Sequence, residues 1–335
     1  MISENHDLKR HNTFGITVKA SRFAAIISEK EATDLITSGI TSDSPHMILG
    51  GGSNILFTRD YKGVIIHPQI LGIEVNKTTN NKVTVTAGAG VVWDDFVAWA
   101  VSNGFAGTEN LSLIPGMTGA SAVQNIGAYG AEAADIIEAV HTISMVSGKK
   151  LTLTGKDCNF GYRQSIFKNE LKGTNLITKV TFRLTTGSKP NLSYGNLQAE
   201  VEKRGKPSLS TIRQAVIEIR RSKLPEPAET GNAGSFFKNP VVSAAKAELL
   251  MQEYPSIPLY PAGEGYTKIA AGWMIEQCGW KGYRKGDAGV HDRQALVLVN
   301  HGNATGADIF NLSEEIRASV EKRFSVALER EVEVI

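Results

Sequence analysis

The apolar and polar residues of this chain follow strand-like and helix-like periods in turn, and no segment repeats. Residues 82–90, KVTVTAGAG, alternate with a period of two and predict a strand, and residues 174–184, TNLITKVTFRL, predict another. Residues 46–57, HMILGGGSNILF, predict a short apolar strand, a glycine loop and a second apolar segment. Residues 329–335, EREVEVI, predict a further strand, so the chain mixes strands with the helices described next.

Helix-like spacing of apolar residues occurs in four other stretches. Residues 92–104 place five apolar side chains on one face and put Gly104 where a helix C-cap belongs. Residues 210–223, 267–279 and 307–324 also predict helices, and the stripe within the last of them is most simply a core face. The two predicted faces are Trp93, Phe96, Val97, Ala100 and Val101, and Ile309, Leu312, Ile316, Val320 and Phe324.

A stretch rich in proline and glycine separates two parts of the chain. Residues 224–234, LPEPAETGNAG, contain two prolines and two glycines, so they predict a loop or linker. At 335 residues, the chain is long enough for about two domains. We therefore expect a second organisational unit to begin near this stretch.

The composition is that of an ordinary globular protein, with 41% hydrophobic and 21% charged residues. The 36 basic and 34 acidic residues nearly balance, which gives no support for a general nucleic-acid-binding surface. Residues 1–12 are polar and lack the apolar core of a signal peptide, and the longest apolar runs are too short to span a bilayer. We expect a cytoplasmic monomer that binds neither nucleic acid nor membrane.

Cysteine and histidine usage predicts neither a disulfide framework nor a metal site. The two cysteines, Cys158 and Cys278, lie far apart and form no C-x-x-C motif, which suits a reducing compartment. The seven histidines show neither H-E-x-x-H nor H-x-x-x-H spacing.

Two glycine-rich stretches could approach a phosphate closely, because glycine permits positive φ angles and close backbone approach. They are GGGSN at residues 50–54 and SLIPGMTGASAVQNIGAYG at residues 112–130. Neither fits G-x-x-x-x-G-K-[ST], and GAGVVW at 88–93 has Trp93 where the third glycine of G-x-G-x-x-G belongs. From these residues alone, each stretch is more simply a set of tight turns.

Several stretches nevertheless occur together in the order known from one family. The chain resembles the UDP-N-acetylenolpyruvoylglucosamine reductases (the MurB family), in the subfamily with a tyrosine loop, over essentially its whole length. The residues that carry the resemblance are NTFG (12–15), GGGSNILF (50–57), NLSLIPGMTGASAVQNIGAYG (110–130), FGYRQSIFK (160–168), KLPEPAETGNAGSFFKNP (223–240), AAGWMIEQCGWKG (270–282) and EREVEV (329–334).

The resemblance implies an α+β fold with a two-part FAD-binding domain of the vanillyl-alcohol-oxidase (PCMH) type and a C-terminal α+β substrate-binding domain. It places the first FAD-binding subdomain at residues 1–75, joined by the strand at 326–335, the second at 76–222 and the substrate-binding domain at 223–325. It implies that FAD is bound without a covalent link and that no metal takes part. The implied FAD-binding residues are Gly50, Gly51, Gly52, Ser53, Asn54, Ser112, Pro115, Gly116, Gly119, Gln124, Asn125, Ile126 and Gly127.

The implied reaction is the NADPH-dependent reduction of UDP-N-acetylglucosamine enolpyruvate to UDP-N-acetylmuramate in peptidoglycan synthesis. Hydride passes from NADPH to the flavin and from flavin N5 to the β-carbon of the enol ether. A proton must then reach the α-carbon, which carries the carboxylate. Such a site needs a proton donor and a group that stabilises the enolate.

Three catalytic residues follow from the matched motifs. Ser235 in GNAGSFFKNP, which alone would be a turn residue, matches the proton donor. Arg163 in GYRQS, otherwise a surface ion-pair residue, matches the arginine that holds the carboxylate and the enolate, because a guanidinium binds a carboxylate through two parallel hydrogen bonds. Glu331 matches the carboxylate that completes the site, although Glu329 and Glu333 share its strand face by the period of two.

The resemblance also implies residues that bind the sugar nucleotide. Tyr194 in LSYGNL matches a tyrosine that folds over the substrate's phosphates, and a hairpin aromatic is the simpler alternative. The lysines of the set supply point charges suited to a diphosphate. The implied substrate-binding residues are Tyr162, Tyr194, Lys223, Asn239, Lys268 and Gln294.

Two other functions stay open from the sequence. A different oxidoreductase on the same flavin fold, such as an FAD-dependent alcohol oxidase, would be reoxidised mainly by oxygen. A protein that binds flavin or a sugar nucleotide without catalysis would show no turnover. The motifs from Lys223 onward argue against the first, and the intact set of Ser235, Arg163 and Glu331 argues against the second.

Overall fold

The structure is a computed structural model that describes residues 2–187 and 190–335. The α-helices are Glu29–Thr37 (α1), Trp93–Ser102 (α2), Thr118–Val123 (α3), Leu197–Glu202 (α4), Leu209–Lys223 (α5), Ala244–Glu253 (α6), Ala271–Gln277 (α7) and Gly306–Phe324 (α8). Short 3-10 helices lie at Lys9–His11, Glu109–Leu111, Ala133–Asp135 and Ile166–Lys168. The strands are Ile2–Asp7 (β1), Lys19–Ile26 (β2), His46–Ile48 (β3), Ile55–Leu56 (β4), Tyr61–Pro68 (β5), Ile73–Thr79 (β6), Lys82–Gly88 (β7), Gly127–Ala128 (β8), Ala131–Glu132 (β9), Ile137–Ser144 (β10), Lys150–Thr154 (β11), Asn175–Thr185 (β12), Gly231–Ser235 (β13), Val241–Ser243 (β14), Leu259–Pro261 (β15), Tyr266–Ile269 (β16), Arg284–Lys285 (β17), Ala288–Val290 (β18), Val297–Asn300 (β19) and Glu333–Val334 (β20).

The described chain divides into two compact units. The first comprises the described residues of 1–6, 20–51 and 62–222, and the second comprises 7–19, 52–61 and 223–335. The chain thus passes from the first unit to the second within the GGGSN stretch, between Gly51 and Gly52. The predicted division into FAD-binding and substrate-binding parts at residues 75, 222 and 325 stays a prediction.

The first unit contains a five-stranded antiparallel sheet in the order β11-β10-β12-β7-β6. The helix α2 packs on this sheet through its apolar face, because Trp93 and Phe96 are fully buried against Phe182 of β12, with ring centroids 5.9 and 4.6 Å away. Most residues of a second sheet, in the order β1-β2-β5-β3, belong to the same unit. That sheet and α1 share a separate apolar core.

The second unit contains a four-stranded antiparallel sheet in the order β13-β19-β18-β17 and a three-stranded one in the order β14-β16-β15. The two-residue strand β20 pairs in parallel with β4. The helix α8 begins with a capping box between Thr305 and Asp308 and ends at Ser325, whose φ is +52°. A Cβ on Gly306 would lie 1.8 Å from the carbonyl oxygen of Phe57, so only glycine allows this close approach at the start of α8.

Several predictions from periodicity are confirmed. The strands expected at 82–90 and 174–184 are β7 and β12, and the helices expected at 92–104 and 307–324 are α2 and α8. The predicted stripe of α8 is buried along its whole length, as is the stripe of α2 except for the half-buried Val101. Each of these elements has a strong local period, which is why the sequence alone predicts it.

Two local predictions are wrong. Residues 267–279 do not form one helix, since Tyr266–Ile269 is the central strand β16, paired with β14 on one side and β15 on the other. The helix α7 begins at Ala271, whose N–H donates to the side-chain oxygen of Asn239 at 2.9 Å. The loop predicted at 224–234 also ends early, because Gly231, the first residue of β13, already pairs with Asn300 of β19.

Two searches of the described residues bear on ligands and membranes. No helix there combines the length and the hydropathy needed to cross a bilayer. The same part of the chain holds no group of three or more His, Cys, Asp or Glu side chains placed to bind a metal ion.

Candidate active site

Two glycine-rich segments of the first unit meet backbone to backbone. A Cβ on Gly51 would lie 3.1 Å from the Cα of Gly116, and one on Gly50 would lie 3.6 Å from the Cβ of Ala120. The φ of Gly116 is +124°, in the range that favours glycine. The two segments therefore pack main chain on main chain, with glycine required where they approach most closely.

The segment that follows Gly116 is fastened to the end of β7. The N–H of Thr118 donates to the carbonyl of Val91 at 2.8 Å, and the N–H of Gly119 donates to that of Ala89 at 3.0 Å. A Cβ on Gly119 would lie only 2.7 Å from the Cβ of Ala89. This docking therefore requires glycine at position 119 and holds the start of α3 in place.

A charged clamp holds the left-handed turn at Leu113, whose φ is +58°. The carboxylate of Asp94 accepts the N–H of Leu113 at 2.5 Å, and Nε of Arg220 donates to its carbonyl at 3.1 Å. Arg213 binds the same carboxylate through both terminal nitrogens, at 2.6 and 2.8 Å. Although burial alone would raise it, the hydrogen bonds from Arg213 and Leu113 hold the pKa of the Asp94 carboxyl below its ordinary value. Leucine avoids this left-handed conformation, and here Asp94 holds it at the N–H of Leu113 and Arg220 holds it at the carbonyl.

Two of the predicted FAD-binding side chains already form hydrogen bonds with other residues of the protein. The amide nitrogen of Asn125 donates to Glu132 at 2.7 Å and to the carbonyl of Gly161 at 3.0 Å, and its oxygen accepts the N–H of Ala134 at 2.9 Å. The hydroxyl of Ser112 donates to a carbonyl three residues earlier at 2.6 Å. Their contribution to a cofactor site would therefore come from the backbone, which these bonds hold in place.

The remaining predicted FAD-binding residues lie in both units. In the second unit Gly52 has a φ of +61°, and a Cβ there would lie 2.0 Å from the carbonyl oxygen of His11. Ser53, Asn54, Gln124 and Gly127 are half-buried, Ile126 is buried and Pro115 is exposed. In the first unit, main chain free of side chains at Gly51 and Gly116 fits a cofactor that carries a pyrophosphate, as FAD does.

Arg163 occupies a strained turn of the first unit. Gly161 and Gln164 exchange backbone hydrogen bonds of 3.0 and 3.1 Å, and Arg163 lies between them with a φ of +56°. Its terminal nitrogens donate to the carbonyls of Asn125 at 3.3 Å and Gly127 at 2.8 Å. The arginine predicted to bind the substrate carboxylate is thus fixed to the glycine-rich segment predicted to bind FAD.

The predicted tyrosine Tyr194 lies in the turn before α4 and not in a hairpin. Its ring is 54% exposed and meets the ring of Tyr129 edge-on, with centroids 5.9 Å apart. The amide of Asn110 donates to the carbonyls of Tyr129 and Asn191, at 2.8 and 2.9 Å, and the amide of Asn191 donates to that of Gly130 at 2.9 Å. These bonds attach the tyrosine segment to the end of the second glycine-rich stretch.

Tyr162 is also partly exposed and lies next to Arg163 in the same turn. The guanidinium carbon of Arg163 is 5.6 Å from the centre of the Tyr162 ring, within the range of a cation–π interaction. The first unit therefore brings these two predicted substrate-contacting residues together.

In the second unit the segment that contains Ser235 lies between two neighbouring stretches of chain. Ser235 pairs with Val297, and the N–H of Phe236 donates to the carbonyl of Leu296 at 2.7 Å. On the other side, the N–H of Glu331 donates to the carbonyl of Phe236 at 2.8 Å. Phe236 is fully buried, and so is Phe237, so the two rings anchor the segment. The backbone of Glu331 is thus bonded to Phe236, the residue that follows Ser235.

The three glutamates near the end of the chain differ in their surroundings. The side chain of Glu329 is 72% exposed and forms an ion pair with Lys238. Glu331 is half-buried, and its carbonyl accepts a hydrogen bond from the amide of Asn54 at 3.0 Å. Glu333 is exposed in β20. The three carboxylates thus have different surroundings, and the choice of Glu331 among them stays a prediction.

Three predicted substrate-binding residues gather around the start of α7. Asn239 accepts the N–H of Ala271, and a Cβ on Gly272 would lie 2.9 Å from Oε1 of Gln294. Lys268 is half-buried on β16, just before α7. The side chains of Asn239 and Gln294 thus both contact the first turn of α7, and Lys268 lies three residues before it in sequence.

Lys223 and one residue absent from the prediction complete the description. Lys223 is the exposed last residue of α5. Tyr260, which the sequence did not single out, pairs with Lys268 across β15 and β16 and is 46% exposed. The signal that could have identified it is a tyrosine in LYPAGEGYTK that no apolar period explains.

Comparisons with known proteins agree with these features. A family model described as "UDP-N-acetylenolpyruvoylglucosamine reductase, C-terminal domain" matches residues 226–335, and one described as "FAD binding domain" matches residues 20–154. The UDP-N-acetylenolpyruvoylglucosamine reductase of Bacteroides fragilis is 48% identical over 334 residues, which cover 100% of both chains. That of Chromobacterium violaceum is 47% identical over 328 residues, 97% of this chain and 96% of the relative.

A solved structure supports the same fold. The crystal structure of UDP-N-acetylenolpyruvylglucosamine reductase from Thermus caldophilus matches with a TM-score of 0.70 and 22% sequence identity, over 100% of this chain and 98% of that one. The predicted fold class, an FAD-binding domain with a family-specific C-terminal domain, is confirmed. The chain belongs to the UDP-N-acetylenolpyruvoylglucosamine reductase family.

Proposed function

We propose that this protein catalyses the NADPH-dependent reduction of UDP-N-acetylglucosamine enolpyruvate to UDP-N-acetylmuramate, with Ser235, Arg163 and Glu331 as catalytic residues. The observation that supports a joint role for Ser235 and Glu331 is the hydrogen bond from the N–H of Glu331 to the carbonyl of Phe236, at 2.8 Å. It holds the backbone of Glu331 against that of Phe236, the residue that follows Ser235. The reaction would serve peptidoglycan synthesis in the cytoplasm, by a monomeric enzyme.

The chemistry asks the protein for two things. FAD, when bound, supplies the hydride chemistry between NADPH and the enol ether. After the hydride reaches the β-carbon, the electron pair of the C=C bond becomes enolate density that the carboxylate shares. Arg163 holds that carboxylate, and the Oγ–H bond of Ser235 breaks as its proton forms the new C–H bond at the α-carbon. The serine regains a proton from solvent, so the net reaction consumes NADPH and one proton.

Within the second unit, Lys268, Asn239 and Gln294 would bind the sugar nucleotide. Lys268 would supply a positive charge for the diphosphate, and Asn239 and Gln294, which both contact the start of α7, would supply amide groups. Lys223, Tyr162 and Tyr194 are all exposed, as groups that contact a substrate must be before it binds. Tyr260 joins this set because its ring lies exposed beside Lys268.

The function can be tested on the purified protein with three spectra. The first should show the absorption of a bound flavin, anaerobic NADPH should bleach it, and the enolpyruvyl sugar nucleotide should then restore it. An FAD-dependent alcohol oxidase would instead recover its colour only with oxygen. A flavin that NADPH does not bleach would indicate a binding protein without catalysis, and either that result or bleaching without recovery by the sugar nucleotide would overturn the proposal.

Replacing Glu331 by glutamine should slow the reoxidation of the reduced enzyme by the substrate by about 10²-fold, because a charged group that assists proton transfer becomes neutral. Stopped-flow absorption of the flavin measures this step directly. The matched control is Glu329→Gln, two residues away, where the carboxylate is exposed and paired with Lys238. A larger loss in Glu329→Gln than in Glu331→Gln would transfer the catalytic role to Glu329.

Replacing Asp94 by asparagine should weaken FAD binding about tenfold, or about 1.4 kcal/mol. The variant keeps an oxygen for the N–H of Leu113 but loses the charge that binds Arg213. The turn at Leu113 would then be held less firmly in its left-handed conformation. Titration of the apoprotein with FAD, followed by flavin fluorescence, gives the dissociation constant.

Two further variants separate this effect from general destabilisation. Asp95→Asn changes an exposed carboxylate in the same helical turn and should leave FAD affinity unchanged. Leu113→Gly, added to Asp94→Asn, should recover affinity, since glycine adopts a φ of +58° without a clamp. Unchanged FAD affinity in Asp94→Asn would show that the clamp acts on folding alone.

A further inference from the structure

The strand that leads to Ser235 contains an extra residue. Asn232 pairs with Val299 and Ser235 pairs with Val297, so three residue steps on β13 face two on β19. In a regular strand, residues three apart lie on opposite faces of the sheet. The inserted residue reverses this relation and decides which face the Ser235 side chain takes.

The side chain of Asn232 holds the backbone of the bulge between Asn232 and Ser235 in place. The amide oxygen of Asn232 accepts the N–H of Gly234 at 2.9 Å, and Gly234 has a φ of +68°. The amide nitrogen donates to the carbonyls of Thr230 at 2.9 Å and Pro225 at 3.2 Å. Asn232 is only 3% exposed, so these bonds are made away from water, where losing them is costly.

The backbone around the inserted residue is also fixed from outside β13. The N–H of Asn232 donates to the carbonyl of Thr13 at 3.0 Å. A Cβ on Gly231 would lie 2.2 Å from the carbonyl oxygen of Phe14, so the strand start packs directly on main chain. By contrast, a Cβ on Gly234 would meet no atom within 4 Å. The positive φ angle of Gly234 is therefore held by the hydrogen bond from its N–H to the Asn232 side chain and not by packing.

We infer that Asn232 is a positioning residue for proton delivery, because it fixes the bulge that presents Ser235 in the orientation needed to protonate the substrate. Asn232 itself contacts neither substrate nor cofactor in this role. The inference rests on the proposed function, since it assigns meaning to the orientation of Ser235. Its consequence is selective: losing the Asn232 amide should affect the step that uses the Ser235 proton, and not the reduction of the flavin by NADPH.

The test compares both half-reactions in Asn232→Ala. Flavin reduction by NADPH should stay near that of the parent enzyme, while reoxidation by the enolpyruvyl sugar nucleotide should slow by about 10- to 100-fold, as expected for a misplaced reacting group. Gly234→Ala provides a second variant that keeps Asn232 but strains the same bulge through φ alone, and it should show the same selective loss. If Asn232→Ala fails to fold, Gly234→Ala carries the test.

The matched control is Asn300→Ala. Asn300 is a buried asparagine of the neighbouring strand, 4% exposed, and its side chain also makes three hydrogen bonds to main chain, at 2.9 to 3.0 Å. Its backbone pairs with Gly231, but its side-chain bonds go to Phe14, Gly302 and Ala304 and not to residues 232–235, so its removal should lower the melting temperature without selective loss of reoxidation. Equal selective loss in Asn300→Ala, or equal loss of both half-reactions in Asn232→Ala, would overturn the inference.

A double variant separates failure of the inference from failure of the proposed function. If Asn232 acts through Ser235, adding Asn232→Ala to Ser235→Ala should cost no further reoxidation rate. A further loss in the double variant would show that Asn232 acts elsewhere, while the role of Ser235 stands. If Ser235→Ala alone shows no selective loss, the proton-donor role falls and the role of Asn232 falls with it.

Discussion

Replacing Ser235 by alanine should leave the reduction of bound FAD by NADPH near normal and slow reoxidation by the enolpyruvyl sugar nucleotide by about 10²–10⁴-fold, the usual contribution of a positioned general acid. Only the second half-reaction needs a proton at the α-carbon. Anaerobic stopped-flow absorption of the flavin separates the two steps.

The structure allows this substitution to be interpreted cleanly. The backbone around Ser235 is held by Leu296 on one side and Glu331 on the other, and these bonds do not involve its hydroxyl. Ser243→Ala is a suitable control in the same unit, because that exposed serine caps α6 and has no catalytic role. Equal losses in both half-reactions of Ser235→Ala would contradict the proton-donor role.

The sequence predicts those parts of the fold that a local period determines. The strand β7 and the helix α8 have clear periods of 2 and 3.6 residues, and both lie where the sequence predicts them. The sequence predicts most of β16 as part of a helix, whereas its conformation depends on pairing with β14 and β15 and not on its own residues. Tertiary pairing overrides a weak helical period in such a short segment.

The candidate site divides in the same way. Resemblance to a family supplies the identities of Ser235, Arg163 and Glu331, whose types alone would indicate only a turn and surface charges. The contacts that hold the segments of the candidate site in place could not be predicted, because they join residues distant in sequence. Asp94 holds Leu113 from 19 positions away and is itself held by an arginine 119 positions away.

The choice among the terminal glutamates shows what the structure adds. A period of two places Glu329, Glu331 and Glu333 on one strand face, so the sequence could separate them only by the family motif. The ion pair between Glu329 and Lys238 and the backbone bond from Asn54 to Glu331 give the three residues different environments. These environments support the motif-based choice, and the pair of glutamine variants described above tests it.

Replacing Arg163 by lysine should slow reoxidation by about 10²–10³-fold, comparable to removing one donor from an oxyanion hole, although the charge is conserved. The guanidinium donates to the carbonyls of Asn125 and Gly127 and so lies in a fixed plane. A lysine ammonium is a single point that cannot hold both carbonyls and also bind a carboxylate through two parallel bonds. The same stopped-flow measurement, together with the affinity for the substrate, gives the effect on each state.

The position of Arg163 predicts how this loss should be distributed. Its left-handed turn, with a φ of +56°, is a conformation that a long side chain adopts only when its surroundings enforce it. Because the turn ties the guanidinium to the segment predicted to bind FAD, Arg163→Lys should also shift the flavin absorption spectrum slightly, whereas Arg183→Lys, an exposed arginine on β12, should change neither spectrum nor rate. Reoxidation at the parental rate in Arg163→Lys would show that charge alone suffices, and would exclude the bidentate role on which enolate stabilisation here depends.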